Sequence, residues 1–99
     1  MTQPLTLVCP AGTPAALEAA LAAGADTVYC GFRDETNARN FPGLNFSRAE
    51  MKAGVASAHA AGREVYVAIN TFPRADDVSP WIKAVDNAVD CGADALILA

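Results

Sequence analysis

The sequence has a single histidine, His59, and three cysteines, Cys9, Cys30 and Cys91, with no CxxC pair among them. One histidine leaves no Ser-His or Cys-His pair and no HExxH helix, and no GxSxG elbow is present. A complete hydrolytic site is therefore not written in these residues. The odd, widely spaced cysteines argue against a disulfide framework and against a structural zinc site. The phosphate-loop patterns GxGxxG and GxxxxGK[ST] are absent. Basic residues are few: seven Lys and Arg stand against eleven Asp and Glu, a net charge of −4. That balance speaks against a nucleic-acid partner held by bulk charge. No apolar run approaches the ~20 residues of a membrane helix, so no transmembrane segment is expected. Met1-Thr2-Gln3-Pro4 has no basic stretch and no long apolar one after it, so no secretory leader is expected. The apolar neighbours of the cysteines fit reduced, buried thiols and a cytoplasmic location.

What is present is core-forming material. Hydrophobic residues make up 53% of the 99-residue chain and charged residues 18%, enough for one small domain. The pattern repeats as helix, glycine, buried strand. Gly24-Ala25-Asp26 leads into Thr27-Val28-Tyr29-Cys30, Gly62-Arg63-Glu64 into Val65-Tyr66-Val67-Ala68-Ile69, and Gly92-Ala93-Asp94 into Ala95-Leu96-Ile97-Leu98. The three glycines lie 38 and 30 residues apart, about one βα unit. Each suits the left-handed position just past a helix end. Start signals precede the helices: Thr13-Pro14, the capping box Ser47-Arg48-Ala49-Glu50, and Ser79-Pro80 read as a second cap followed by proline.

This predicts strand 5–9, helix 14–23, strand 27–31, helix 48–61, strand 64–70, helix 80–91 and strand 94–99. The strands are short apolar runs, so both faces of the sheet are expected to be covered. The order β-α-β-α-β-α-β implies a parallel sheet with right-handed crossovers. The fold class is α/β, four strands and three helices forming the first half of a (βα)₈ TIM-like barrel. A whole barrel takes about 250 residues, and Leu96-Ile97-Leu98-Ala99 ends in an apolar strand. Residues 1–99 are thus read as an N-terminal half-barrel, a fragment of a longer chain that is inactive alone. The alternative is a complete four-stranded open sheet.

Ligands of parallel α/β folds bind at the carboxyl ends of the strands. His59 and Cys91 fall at the opposite ends, which gives them structural roles. Cys9 and Cys30 end neighbouring strands; a thiolate pair is weighed there against two small buried hydrophobes, and the latter is preferred. The segment Phe32–Phe46 is about fifteen residues long, where a βα loop usually has about 2–6, and such loops are often functional. It carries amides at Asn37, Asn40 and Asn45, the planar cation Arg39, and apolar surface at Phe41, Leu44 and Phe46. An arginine fork fits a carboxylate. With Asn70 at the end of the third strand, the candidate substrate-binding residues are Asn37, Arg39, Asn40, Phe41, Asn45 and Asn70. The competing arrangement is a self-packed loop with Arg39 paired to Asp34 or Glu35 and the phenylalanines in a core of their own. No residue is assigned to catalysis, a cofactor or a metal.

Read in order, Leu7-Val8-Cys9-Pro10-Ala11-Gly12, Gly24-Ala25-Asp26-Thr27-Val28-Tyr29-Cys30-Gly31, Val65-Tyr66-Val67-Ala68-Ile69-Asn70-Thr71 and Gly92-Ala93-Asp94-Ala95-Leu96-Ile97 resemble the start of the collagenase-like peptidase family, number thirty-two of the unassigned (U) peptidases. Thr36-Asn37-Ala38-Arg39-Asn40-Phe41 with Gly43-Leu44-Asn45-Phe46 resembles the family's ubiquinone-biosynthesis branch more than its tRNA- and rRNA-hydroxylating members. The resemblance implies oxygen-independent hydroxylation of a prenylated aromatic ubiquinone precursor, a small molecule. It also implies a [4Fe–4S] cluster in the full-length protein, with no ligands in residues 1–99, and a heterodimer with a UbiV-like paralogue. A peptidase, after the family's title, and a noncatalytic half-barrel binding module are the alternatives.

Overall fold

The structure, a computed structural model, describes residues 5–98. Its elements run β1 (Val8–Pro10), α1 (Pro14–Ala22), β2 (Thr27–Cys30), α2 (Arg48–Ala60), β3 (Glu64–Ile69), α3 (Ser79–Asp90) and β4 (Ala95–Leu98). All strand pairs are parallel, in the order β1-β2-β3-β4. A sheet that steps the same way at every crossover is a half-barrel; a doubly wound sheet would reverse about β1. The first strand is shorter than expected and starts at Val8. The last expected strand residue, Ala99, lies outside the described residues.

Local chemistry explains the helix starts. Thr13 Oγ1 accepts from the Ala16 N–H at 3.0 Å ahead of Pro14. Ser47 and Glu50 satisfy each other's backbone donors at 3.1 and 2.9 Å. The third start differs from the expected Ser79 cap. Val78 already turns into the helical region (φ −90°, ψ −5°) and Ser79 lies in the first turn. The acceptor is instead the Asp77 carboxylate, which takes the Ser79 N–H at 3.0 Å. A carboxylate two residues ahead closes an Asx turn and outcompetes a hydroxyl as acceptor. The helices end on Gly24, Gly62 and Gly92 with φ of +96°, +72° and +87°, a conformation that strains any side chain.

One face of the sheet is packed over β2 and β3. Val28, Cys30, Val65, Val67 and Ile69 lie against Leu17, Met51, Val55, Ala58, Trp81 and Ala84 in one buried cluster. Gly54 lets α2 approach α1, since a Cβ there would lie 3.1 Å from Leu17 Cδ1. The opposite face corrects the expectation of cover on both sides. Val8, Tyr29 and Ile97 are 48%, 37% and 41% exposed. All three crossovers have one hand, so all three helices lie on one side, and no described element covers the other.

The repeated Gly-Ala-Asp fastens the amino ends of the strands. Asp26 accepts from the Leu7 N–H and from Arg63 Nη1, each at 2.8 Å. Asp94 accepts from the Val65 N–H and contacts His59 Nε2, each at 2.8 Å. In both cases the aspartate before one strand holds the start of the strand before it. This gives His59 its structural role, on the end of the sheet away from the ligand-facing loops.

Candidate functional site

The carboxyl ends of β1, β2 and β3 surround a cavity of about 330 Å³, roofed by the loop after β2. The loop is built on two bridging phenylalanines. Phe32 and Phe46 form an isolated parallel bridge, are 4% and 0% exposed, and belong to the main core. Phe46 therefore offers no ligand surface, contrary to expectation: it seals the loop's base. Arg33 holds the returning strand by donating to Leu44 O and Asn45 O, both at 3.2 Å, and pairs with Glu50 at 2.9 Å. The far side of the loop is tied to β3 and α3. The Asn70 N–H donates to Thr36 O at 3.0 Å, and Asn70 Oδ1 accepts from the Ala38 N–H at 2.8 Å. Thr71 Oγ1 donates to Glu35 O at 2.7 Å and accepts from Trp81 Nε1 at 3.1 Å.

These bonds converge on Arg39. Its N–H donates to Asn37 Oδ1 at 2.9 Å. Its carbonyl accepts from Asn45 Nδ2 at 2.6 Å and from the Phe41 N–H at 2.9 Å. Asn37 is itself anchored by donating to Phe32 O at 3.2 Å. Asn45 takes a left-handed conformation, φ +73°, while its N–H donates to Gly12 O at 2.6 Å. Asparagine tolerates that region better than most residues. The Arg39 peptide is thus fixed from both sides, which lowers the entropy cost of presenting its guanidinium.

Of the six sequence candidates, Asn37, Arg39 and Asn70 line the cavity together. Asn45 is 6% exposed and positions the Arg39 carbonyl from behind. Asn40 and Phe41 lie exposed on the outer part of the loop. The ion pair weighed for Arg39 does not form. Glu35 pairs with Arg74 at 3.5 Å, and Asp34 accepts from the Thr36 N–H and hydroxyl. Among the described residues Arg39 makes no ion pair, and it is the one charged residue lining the cavity. Pro10, Ala11, Gly12, Tyr29, Cys30, Gly31 and Ala68 complete the lining. None of these is among the candidate binding residues read from the sequence. Their signal was present: a period of two, continued past the strand ends, puts Gly12, Gly31 and Ala68 on one face.

The cysteines do not form a thiolate pair. Cys30 packs on the helix side, its Sγ 3.5 Å from Met51 Sδ, and burial pushes its thiol up to about 12. Cys91 lies at the other end of the sheet, buried beside Arg48 O, and burial raises its thiol as well. Two buried cysteines at opposite ends of the sheet do not make a ligand set for an iron–sulfur cluster. No group of three His, Cys, Asp or Glu side chains that could hold a metal occurs among the described residues. Nor is any described helix long and apolar enough to cross a membrane.

Comparison with known proteins adds the lineage. Residues 12–99 match the model of Peptidase family U32. The tRNA hydroxylation protein P of Haemophilus influenzae is 36% identical over 93 residues, covering 93% of this chain and 20% of that protein. Its namesake in Escherichia coli matches with the same identity and coverage. The uncharacterized protease MJ0090 of Methanocaldococcus jannaschii is 33% identical over 92 residues, covering 93% of this chain and 22% of that protein. The solved structure of the U32 peptidase Mk0906 superposes with a TM-score of 0.71 at 16% identity, over 100% of this chain and 42% of that one. The chain thus spans about a fifth of the length of the curated relatives it matches.

Proposed function

The chain belongs to peptidase family U32, and we propose that it supplies the N-terminal, ligand-facing half-barrel of a hydroxylation protein. Relatives over nearly the whole chain carry hydroxylation in their names. One observation supports an anionic small-molecule ligand most strongly. Arg39 is held by its backbone over a cavity in which it is the lone charge, with no carboxylate partner among the described residues. A guanidinium of that kind takes a carboxylate in a two-pronged grip.

The finer reading is a UbiU-like role, hydroxylation of a prenylated aromatic ubiquinone precursor without oxygen. The loop sequence Thr36–Phe46 and the net charge of −4 support a small molecule over RNA. In this reading a [4Fe–4S] cluster is bound by residues other than 1–99, and a UbiV-like paralogue is the second subunit. Within this chain the work is binding and orientation: Arg39 grips the anion, Asn37 and Asn45 position Arg39, and Asn70 ties the loop down. A second reading is tRNA hydroxylation, favoured by the names of the relatives. The peptidase alternative has no nucleophile–base pair in the described cavity.

The discriminating experiment deletes the gene in its host and measures two products by mass spectrometry after anaerobic growth. Loss of ubiquinone with unchanged tRNA nucleosides supports the first reading. Loss of a hydroxylated tRNA nucleoside with normal ubiquinone replaces it with the second.

A further inference from the structure

Two asparagines of the cavity spend their amide oxygens in the same way. Asn70 Oδ1 accepts from the Ala38 N–H at 2.8 Å, and Asn37 Oδ1 accepts from the next N–H along the loop, that of Arg39, at 2.9 Å. Each bond fixes the orientation of its amide, because the reverse flip would set an NH2 group against a backbone N–H. The two nitrogens then differ. Asn37 is 7% exposed, and its Nδ2 donates to Phe32 O at 3.2 Å. Asn70 is exposed and lines the cavity, and the bond from Ala38 is the one hydrogen bond of its side chain among the described residues. Its backbone is held as well, the Asn70 N–H donating to Thr36 O at 3.0 Å. An anchored backbone and an anchored amide oxygen leave the N–H bonds of Nδ2 as unspent donors in a fixed place. They share the cavity with the guanidinium of Arg39, the residue that follows the Ala38 amide bound by Asn70.

We infer that Asn70 contacts the ligand as well as fastening the loop: its Nδ2 donates to an uncharged oxygen of the anion whose carboxylate Arg39 grips. The inference rests on the reading of this cavity as the ligand site and adds the second group by which the ligand is recognised. Both side chains can only donate here. A guanidinium has no acceptor, and the acceptor of Asn70 is spent on Ala38. The pair therefore selects a carboxylate with a neutral oxygen acceptor close to it over a plain hydrocarbon acid, whose methylene would leave the amide nitrogen unpaired. Asn70 is specificity-determining in this account, and Arg39 supplies the charge recognition.

The test is ligand-observed NMR titration of the full-length protein with methoxyacetate and butyrate. The two are monoanions of equal length, one with an ether oxygen where the other has a methylene. Wild-type protein is expected to bind methoxyacetate more tightly. Asn70→Ala is expected to lower the affinity ratio of the two probes by about three- to tenfold, the effect of one hydrogen bond. A loosened loop alone would weaken both probes by one factor and leave the ratio unchanged. Asn70→Asp keeps an oxygen for the Ala38 N–H and so keeps the loop fastened, which hydrogen exchange at Ala38 checks. Its charge acts on both monoanions alike, and with the donor gone the ratio is expected to fall as in Asn70→Ala. Arg39→Ala is expected to weaken both probes. A ratio unchanged in either folded Asn70 variant makes Asn70 a fastener only and overturns the inference. A wild type that does not prefer methoxyacetate, with Arg39 still required, also overturns it alone. If neither probe binds, or Arg39→Ala changes neither, the ligand-site reading falls and the inference falls with it.

Discussion

Asn37 occupies the space that a side chain at residue 31 would need. An ideal Cβ on Gly31 would lie 2.9 Å from Asn37 Cγ and 3.3 Å from Ala68 O. From that position the Asn37 amide bonds Phe32 O with its nitrogen and the Arg39 N–H with its oxygen. A glycine at the end of β2 thus determines where Arg39 stands, eight residues on.

Gly31→Ala is expected to break this chain. The added methyl must displace Asn37 or the β3 backbone, an overpacking cost of roughly 1–3 kcal/mol. The loop moves before the sheet does, because Asn37 is the softer neighbour. Thermal unfolding together with hydrogen exchange at the Arg39 amide checks this. Early exchange at Arg39 is the expected signature, and unchanged exchange would mean that Asn37 does not depend on Gly31.

Asp94→Ala is expected to cost more stability than Asp26→Ala. Each aspartate holds a strand-start N–H and a basic side chain. The N–H released by Asp94 belongs to Val65, which is fully buried, whereas Leu7 is 47% exposed and can turn to water. An unsatisfied buried donor costs about 1–3 kcal/mol. Denaturant midpoints of the two variants give the comparison, and equal losses would contradict it.

Cys30 is expected to make the fold alkali-sensitive. Its thiol rises from 9.0 to about 12 on burial, so the folded state favours the neutral form. Its contribution is complete below the unfolded value and fades as pH climbs from about 9 to about 12. Cys30→Val removes that titration while keeping an apolar side chain. The stability difference between wild type and variant should shift in favour of the variant across this window. Alkylation of Cys30 in the folded protein should remain slow at pH 8. Rapid labelling there would place the thiol elsewhere.

Much of the architecture was legible because it is set by local punctuation. Gly24, Gly62 and Gly92 mark helix ends through a backbone angle that other residues resist, and the Ser47–Glu50 box marks a helix start through reciprocal hydrogen bonds. The start at Ser79 was misread because Asp77, Ser79 and Pro80 all carry start chemistry, and their backbone angles decide which one serves. In the loop, the residue types of the candidate set were visible but not their division of labour. An asparagine's sequence position does not say whether its amide meets ligand or backbone. Here Asn37 and Asn45 bond backbone, which leaves Arg39 as the group presented to the cavity. Tyr29 was overlooked because it sits inside a strand that reads as core, and its exposed face follows only from the one-sided placement of the helices.

The most direct test of the account is the activity of full-length protein carrying Arg39→Lys or Arg39→Ala, read as hydroxylated product in cells at matched protein level. Losing a charge-assisted bidentate contact costs roughly 1.5–3 kcal/mol, about ten- to a hundredfold in binding. Lysine keeps the charge but not the planar fork, so both variants are expected to fall by that factor at low substrate supply. Stability should change little, because the Arg39 side chain makes no ion pair among the described residues. Wild-type product yield from both variants would contradict the account and remove Arg39 from the site.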